Sequence, residues 1–145
     1  MTGLHMGHAW IRGNAEIPLR PEDVTVAKLL KPAGYTCAVI GKWGLGLADN
    51  SGRPDLQGFD YSFGFLDHKH AHRQYTDHLF RNGQRIEISE ERWANDLFAE
   101  ESLAYIDRQK AGPFFLYLNF TNMRSCGFRR TRWRSSAESF PKPRG

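Results

Sequence analysis

The order of apolar and polar positions in the first part of the chain predicts a helix followed by a strand. Residues 20–23 supply a proline and two carboxylates ahead of apolar positions at helical spacing, which predicts a short amphipathic helix. This helix should end near Pro32 and Gly34. Residues 35–40 are almost unbroken in apolarity and rich in β-formers, which is typical of a buried strand. That strand leads into the glycine-rich segment 41–46, where α/β sheets commonly carry their chemistry.

The second part of the chain predicts a hairpin, a helix and another strand. Asn82 and Gly83 separate two short alternating runs, which predicts a surface β-hairpin over residues 79–88. Residues 91–110 carry an apolar helical face, and the Gly-Pro pair that follows should end the helix. This face comprises Ala94, Phe98, Ser102, Tyr105 and Ile106, with Leu97 and Leu103 beside it. Residues 114–120 are nearly all apolar, which predicts a strand covered on both faces.

These elements together indicate an α/β fold with a mostly parallel sheet flanked by helices. We expect strands 35–40 and 114–120 to be neighbours or near-neighbours in that sheet. Between residues 49 and 67, glycines and prolines alternate with aromatic residues, which predicts a long ordered loop. No run approaches the roughly 18 apolar residues of a membrane helix, so no membrane-spanning segment is expected.

Charge is distributed unevenly along the 145 residues. Residues 123–145 contain six Arg and one Lys against one Glu, a net charge of +6, whereas the other 122 residues carry −2. One interpretation of the basic segment is nucleic-acid binding, with Trp133 stacking on bases. The arginines concerned are Arg124, Arg129, Arg130, Arg132 and Arg134. No binding fold accompanies them, so no nucleic-acid partner is expected.

Lys42 is the sharpest candidate for chemistry. It lies in a glycine-flanked segment after a buried strand, where its ammonium and backbone N–H groups could face a compact sulfate or phosphate. The alternative is a solvated loop lysine, and the spacing does not match a phosphate-binding loop.

Histidines alternate at positions 68, 70 and 72, with His78 further along the chain. On an extended strand, His68, His70 and His72 would share one face and could line a cleft. We weigh three interpretations: polar loop residues, substrate-facing residues in the case of His70 and His72, and metal ligands. No nearby Cys or carboxylate pattern completes a zinc site. The two cysteines, Cys37 and Cys126, are expected to be free thiols.

Six short blocks of the sequence carry a family resemblance. They are MTGLHMGH at 1–8, RGN at 12–14, the helix and strand around AGY at 33–35, GKWGLG at 41–46, QGFD at 57–60 and PFFLYL at 113–118. In this order they resemble the sulfatase family, in particular bacterial arylsulfatase-like proteins of the alkaline-phosphatase superfamily, and the resemblance covers residues 1–121.

The resemblance implies a sulfuric ester hydrolase of alkaline-phosphatase-like α/β fold, with a calcium ion and a formylglycine nucleophile. Lys42 resembles the lysine that binds the sulfate and the formylglycine side chain. Gly44 stands where many members carry a histidine. The substrate implied is a sulfate-ester small molecule or a sulfated glycan, and the precursor's partner is a formylglycine-generating enzyme. A related phosphate or phosphonate ester hydrolase is the alternative.

We expect the chain to be an internal, incomplete part of the catalytic domain that is inactive alone. In the family, the Cys/Ser-x-Pro-x-Arg motif that carries the nucleophile precedes Met-Thr-Gly, and the calcium ligands lie on either side of the region covered here. The intact enzyme would be periplasmic or secreted, but residues 1–5 do not resemble a signal peptide. We expect residues 122–145 to be a disordered tail produced by a frameshift near Asn122. Permitted codons in the shifted frame can spell a sequence that resembles the family's continuation.

Overall fold

A computed structural model describes residues 1–13 and 16–121, which form a five-stranded sheet with helices. The helices are α1 (Val26–Leu30) and α2 (Ala94–Gln109). The strands are β1 (Thr36–Lys42), β2 (Tyr61–Phe65), β3 (His78–Arg81), β4 (Gln84–Glu87) and β5 (Phe114–Asn119). Short 3₁₀ turns span Lys31–Ala33, Pro54–Gln57 and His70–His72. No helix among the described residues is both long and apolar enough to cross a membrane.

The sheet is mixed, and its parallel part is built around β1. The strand order is β4-β3-β2-β1-β5, with β1 parallel to both β2 and β5, and with β2, β3 and β4 antiparallel. The predicted pairing of the two apolar strands as parallel neighbours is confirmed. The carboxyl ends of β1, β2 and β5 therefore meet at one edge of the sheet.

The two faces of β1 pack against different clusters because its side chains alternate. Ala38 and Ile40 belong to a buried cluster beneath α2, whereas Cys37 and Val39 belong to a second cluster on the α1 side. The first cluster includes Phe63, Phe65, Phe98 and Tyr105. All four of these β1 residues are at most 2% exposed, so the prediction of a buried strand is confirmed.

The first helix begins later than the sequence predicted. Asp23 accepts hydrogen bonds from the backbone N–H (2.8 Å) and guanidinium (2.8 Å) of Arg20, and this closes a turn ahead of the helix. Thr25 then caps α1, which runs only from Val26 to Leu30. The helix end near Gly34 is confirmed, because Gly34 adopts a left-handed conformation at the end of the 3₁₀ turn.

The segment 49–67 is not only a loop, as predicted, since it contains strand β2. Phe63 and Phe65 point to one face at the strand's period of two and are 4% and 0% exposed. The alternating aromatic residues that favoured an ordered loop were therefore a strand pattern.

The predicted hairpin is confirmed, and its first strand is part of the sheet. Asn82 and Gly83 both adopt positive φ, 50° and 78°, as a two-residue hairpin turn requires. Leu79 is fully buried, so β3 is an interior strand between β2 and β4 rather than a surface feature.

Two predictions of burial were wrong in the second half. Ile106 and Leu103 on α2 are 39% and 69% exposed, because the helix contacts the sheet along a narrower stripe than its apolar residues suggest. β5 is only half-buried, and Leu118 is 38% exposed. The reason is its position at the sheet edge, where the described residues place a strand on one side of it only.

Replacing Thr25 by valine should lower the free energy of unfolding by about 2 kcal/mol. The Thr25 hydroxyl is fully buried, donates to the carbonyl oxygen of Gln57 (2.6 Å) and accepts from the N–H of Lys28 (3.2 Å). Valine has a similar shape but no hydroxyl, so the carbonyl group of Gln57 and the N–H group of Lys28 would lose this hydrogen-bond partner. Urea unfolding monitored by circular dichroism measures the change, and Thr25→Ser, which retains the hydroxyl, is the control. An equal loss for both variants would contradict the role of the hydroxyl.

Candidate functional site

Lys42 is the last residue of β1, at the edge where three parallel strands end. The ladder between β1 and β2 continues past it: the N–H of Trp43 donates to Phe65 O (2.8 Å) and that of Gly44 to Leu66 O (3.0 Å). From β5, the Asn119 amide donates to the carbonyl oxygen of Lys42 (3.2 Å). The backbone beneath the lysine is thus held from both neighbouring strands.

The Lys42 ammonium differs from those of the other lysines in the described residues. Within that part of the chain, it has no hydrogen-bond or ion-pair partner. The other four have partners: Lys28 donates to backbone carbonyls, and Lys31, Lys69 and Lys110 pair with Asp60, Glu16 and Asp107. Its backbone is anchored while its charge remains available, as a site for an anion requires.

A cluster of histidines lies on the same face of the sheet as Lys42. Lys42 pairs in register with Phe65, so both side chains leave one face. The Phe65 ring meets the His70 ring edge-on, with 4.7 Å between ring centroids. His70 in turn stacks on His78 at 4.1 Å.

His70 is held in place by packing and by one hydrogen bond. Its Nε2 lies 2.8 Å from the Thr76 hydroxyl, and His78 Nδ1 lies 2.7 Å from an Asp77 carboxylate oxygen. Burial, together with the adjacent His78, lowers the pKa of His70 below its ordinary value. The ring is therefore neutral at neutral pH.

His70, Asp77 and His78 form a grouping that could bind a metal, with ligand atoms within 4.8 Å of one another. Two imidazoles and one carboxylate suit zinc, whereas calcium takes six to eight oxygen ligands. This grouping does not fit the calcium ion that the family resemblance implies.

The three alternating histidines do not share a strand face, which corrects the geometry expected from the sequence. His70–His72 is a 3₁₀ turn, so the three rings diverge. His70 packs into the cluster under α2, His72 is exposed, and His68 packs on Gly44. Only His68 and His70 thus lie against the edge that carries Lys42.

His68 occupies the space above Gly44. A Cβ at Gly44 would lie 2.4 Å from His68 Cε1 and 2.8 Å from its Nδ1. Both ring nitrogens are buried, and the described residues offer neither of them a hydrogen-bond partner. The alternating spacing of the histidines in the sequence did not predict this contact.

A buried polar network, which the sequence analysis missed, fixes the segment that follows β5. The Thr121 hydroxyl lies 2.8 Å from Gln74 Oε1 and 2.9 Å from Asn95 Oδ1. Asn95 also exchanges hydrogen bonds with the backbone N–H and C=O of Thr121, each 3.1 Å. The network ties the end of β5 to α2, so that Thr121 lies at the same edge as Lys42.

Acidification should destabilise the fold through His70. The pKa of histidine in the unfolded chain is about 6.5, and the pKa of His70 in the folded chain is lower. Below about pH 6.5 the unfolded state therefore binds more protons than the folded state. The free energy of unfolding should therefore fall as the pH drops below about 6.5, by at most about 1.4 kcal/mol per pH unit. Unfolding in urea across this range measures the slope. His70→Gln should flatten it, the exposed-ring control His72→Gln should not, and equal slopes in all three proteins would contradict the assignment.

A model of the sulfatase family matches residues 1–142. An arylsulfatase from Hemicentrotus pulcherrimus is 28% identical over 128 residues, a match that covers 76% of this chain and 23% of that protein. The chain thus spans less than a quarter of the length of this relative.

Solved sulfatase structures share the fold. The crystal structure of Ps i-CgsB in complex with k-i-k-neocarrahexaose matches with a TM-score of 0.63 and 24% identity, over 77% of this chain and 29% of that one. The structure of BT4656 in complex with its substrate D-glucosamine-2-N,6-O-disulfate matches with a TM-score of 0.59 and 26% identity, over 88% and 24% of the two chains. The family match extends over nearly the whole sequence, and the chain belongs to the sulfatase family.

Proposed function

We propose that the protein of which this chain forms part hydrolyses the sulfate ester of a sugar or glycan, and that Lys42 binds the sulfate group. The observation that carries this proposal is the ammonium of Lys42, which lies at the carboxyl edge of the parallel strands and has no partner in the described residues. The sugar is suggested by relatives, since BT4656 is described with a disulfated glucosamine as its substrate.

Lys42 suits this role for two reasons. An ammonium is a compact point charge that can follow the oxygen atoms of a sulfate as charge develops on them. Its backbone is fixed by hydrogen bonds from β2 and β5, so little reorganisation accompanies binding.

His70 contributes a neutral, packed ring near the same face, which suits it to orient a substrate rather than to neutralise its charge. His72, which is exposed, is the weaker of the two proposed substrate-binding histidines.

The proposal extends to parts of the protein that these residues do not contain. Residues 1–121 are proposed to be part of a sulfatase catalytic domain whose calcium ion and formylglycine, generated by a modifying enzyme, come from elsewhere in the domain. Residues 122–145 are proposed to be a frame-shifted tail. That segment lies outside the described residues, as do the arginines of the nucleic-acid alternative, and the family match continues to residue 142.

Binding of inorganic sulfate to the full 145-residue chain tests the role of Lys42. Calorimetric titration at constant ionic strength should show a single weak site, and Lys42→Met should weaken it about tenfold or more, since a charge-assisted hydrogen bond is lost. Lys110→Met is the matched control, because Lys110 pairs with Asp107 on the exposed surface. Equal sulfate affinity in Lys42→Met and the unmodified chain would contradict the proposed anion site.

A further inference from the structure

His68 carries two hydrogen-bonding nitrogens that the described residues leave without partners. Both nitrogens are buried, and the ring lies directly over Gly44, two residues beyond Lys42. Buried polar atoms in folded proteins are paired with protein, water or ligand in the great majority of cases. An imidazole in this position is therefore suited to a partner that enters from outside the chain.

The His68 ring can lie over residue 44 because that residue is a glycine. Gly44 has a φ of 75°, a conformation that favours glycine, and the space above its Cα is filled by the His68 ring. The backbone of Gly44 is hydrogen-bonded to Leu66, two residues before His68. The ring is thus positioned by the same pairing of β1 and β2 that positions Lys42.

A small cavity opens beside the ring. It has about 20 Å³ of space and is lined by Glu16, Asn50, Asp67, His68, Gly44 and Gly46, together with four apolar residues. A space of this size admits about one water-sized group, such as a single oxygen atom of a larger ligand.

The other polar side chains that line the cavity are already engaged. Glu16 pairs with Lys69 (2.6 Å), and Asn50 Oδ1 accepts from the N–H groups of Leu47 (3.0 Å) and Gly52 (3.1 Å). The Asp67 carboxylate accepts from the backbone of Lys69 and His70. Among the side chains that line this cavity, His68 is the one whose polar atoms all lack a partner in the described residues.

The charge around the cavity favours a neutral oxygen over an anionic one. Burial works against ionisation of Asp67, but the backbone hydrogen bonds and the nearby Lys69 hold its pKa below the usual value, so it is a carboxylate. Glu16 adds a second carboxylate, which is paired with Lys69, so the charge at the cavity remains negative and disfavours a sulfate oxygen there. A hydroxyl group meets no such repulsion.

We propose that His68 hydrogen-bonds a hydroxyl group of the sugar whose sulfate is bound by Lys42. This rests on the proposed function, since it takes Lys42 as the sulfate site. The Cα atoms of Lys42 and Gly44 are at most about 7 Å apart, and the His68 ring lies over Gly44, so Lys42 and His68 belong to the same edge of the sheet. His68 would then select for the sugar, and Lys42 for the sulfate.

Nuclear magnetic resonance of the full chain tests this, with galactose 6-sulfate, glucose 6-sulfate and inorganic sulfate as the probes. The chain has six histidines, and imidazole ¹⁵N–¹H spectra with single His→Gln variants assign the signals of each ring. At least one sugar sulfate should shift the His68 ring signals saturably, while inorganic sulfate should leave them unchanged. His68→Gln should weaken binding of that sugar sulfate about three- to tenfold and leave the affinity for inorganic sulfate unchanged. The control His8→Gln, at an exposed ring outside the proposed site, should change neither.

The two proposals fail in distinguishable ways. If Lys42→Met weakens binding of both ligand types but His68 signals stay fixed with either sugar sulfate, His68 binds an internal water and the present inference is overturned. The same conclusion follows if His68→Gln folds and binds all three probes as tightly as the unmodified chain. If Lys42→Met changes no affinity, the proposed sulfate site fails, and the assignment of His68 to the same sugar sulfate fails with it.

Discussion

The 145-residue chain, produced alone and supplied with calcium, is expected to show no turnover of an aryl sulfate. Its sequence contains no Cys/Ser-x-Pro-x-Arg motif, so it carries no residue in the context that formylglycine formation requires. A positioned lysine contributes charge but no atom to accept the sulfuryl group. Release of the coloured phenol from 4-nitrophenyl sulfate provides the measurement.

Under the proposed function, activity should appear when the parts proposed to lie outside this sequence are added together. The extended protein would carry the upstream coding segment and the proposed unshifted reading frame after residue 121, both read from genomic DNA, and would be coexpressed with a formylglycine-generating enzyme. In that protein, Lys42→Ala should lower kcat/KM by about 10²- to 10³-fold, as the loss of one group that stabilises a developing oxyanion does. Lys110→Ala is the surface control.

Two results would contradict this account of the chemistry. One is calcium-dependent turnover by the unextended chain, because the nucleophile would then lie among its own residues. The other is an active extended protein that is indifferent to Lys42→Ala, since the sulfate would then be bound elsewhere. An effect on KM alone would show that Lys42 binds the substrate without preferential stabilisation of the transition state.

The sequence predicted the elements whose signals are local. The apolar runs of β1 and β5, the Asn82-Gly83 turn and the helix α2 are confirmed because each depends on its own residues. The start of α1 was misplaced because two local signals compete there. Asp23 can open a helix, but its bonds to Arg20 close a turn instead, and Thr25 becomes the cap.

Predictions of burial and of contact between distant segments were less successful, because both depend on the three-dimensional arrangement. The apolar face predicted for α2 was wider than the stripe that contacts the sheet, since sequence spacing shows which residues could face a core but not how wide the contact is. Lys42 could be proposed as a site residue because a lysine after a buried strand has a local signature. The packing of His68 on Gly44, and of Gln74 on Thr121, joins loops that only the completed sheet brings together.

The close approach of the three parallel strands requires two glycines near the carboxyl ends of β1 and β2. A Cβ at Gly41 would lie 1.9 Å from the carbonyl oxygen of Asn119 in β5, and one at Gly64 would lie 2.0 Å from the carbonyl oxygen of Gly41. Both glycines also have positive φ, 109° and 144°. Only glycine fits these positions without moving backbone.

Gly41→Ala is therefore expected to lower the free energy of unfolding by about 2–4 kcal/mol, from backbone strain and overpacking together. This is a large part of the stability of a typical domain, so the variant should unfold at a clearly lower urea concentration. The midpoint of urea unfolding, followed by circular dichroism, measures the loss. Gly112→Ala is the matched control, because a Cβ there meets nothing within 4 Å. If both substitutions shift the midpoint equally, β5 is not packed against β1 as described, and the backbone that holds Lys42 is not fixed from that side.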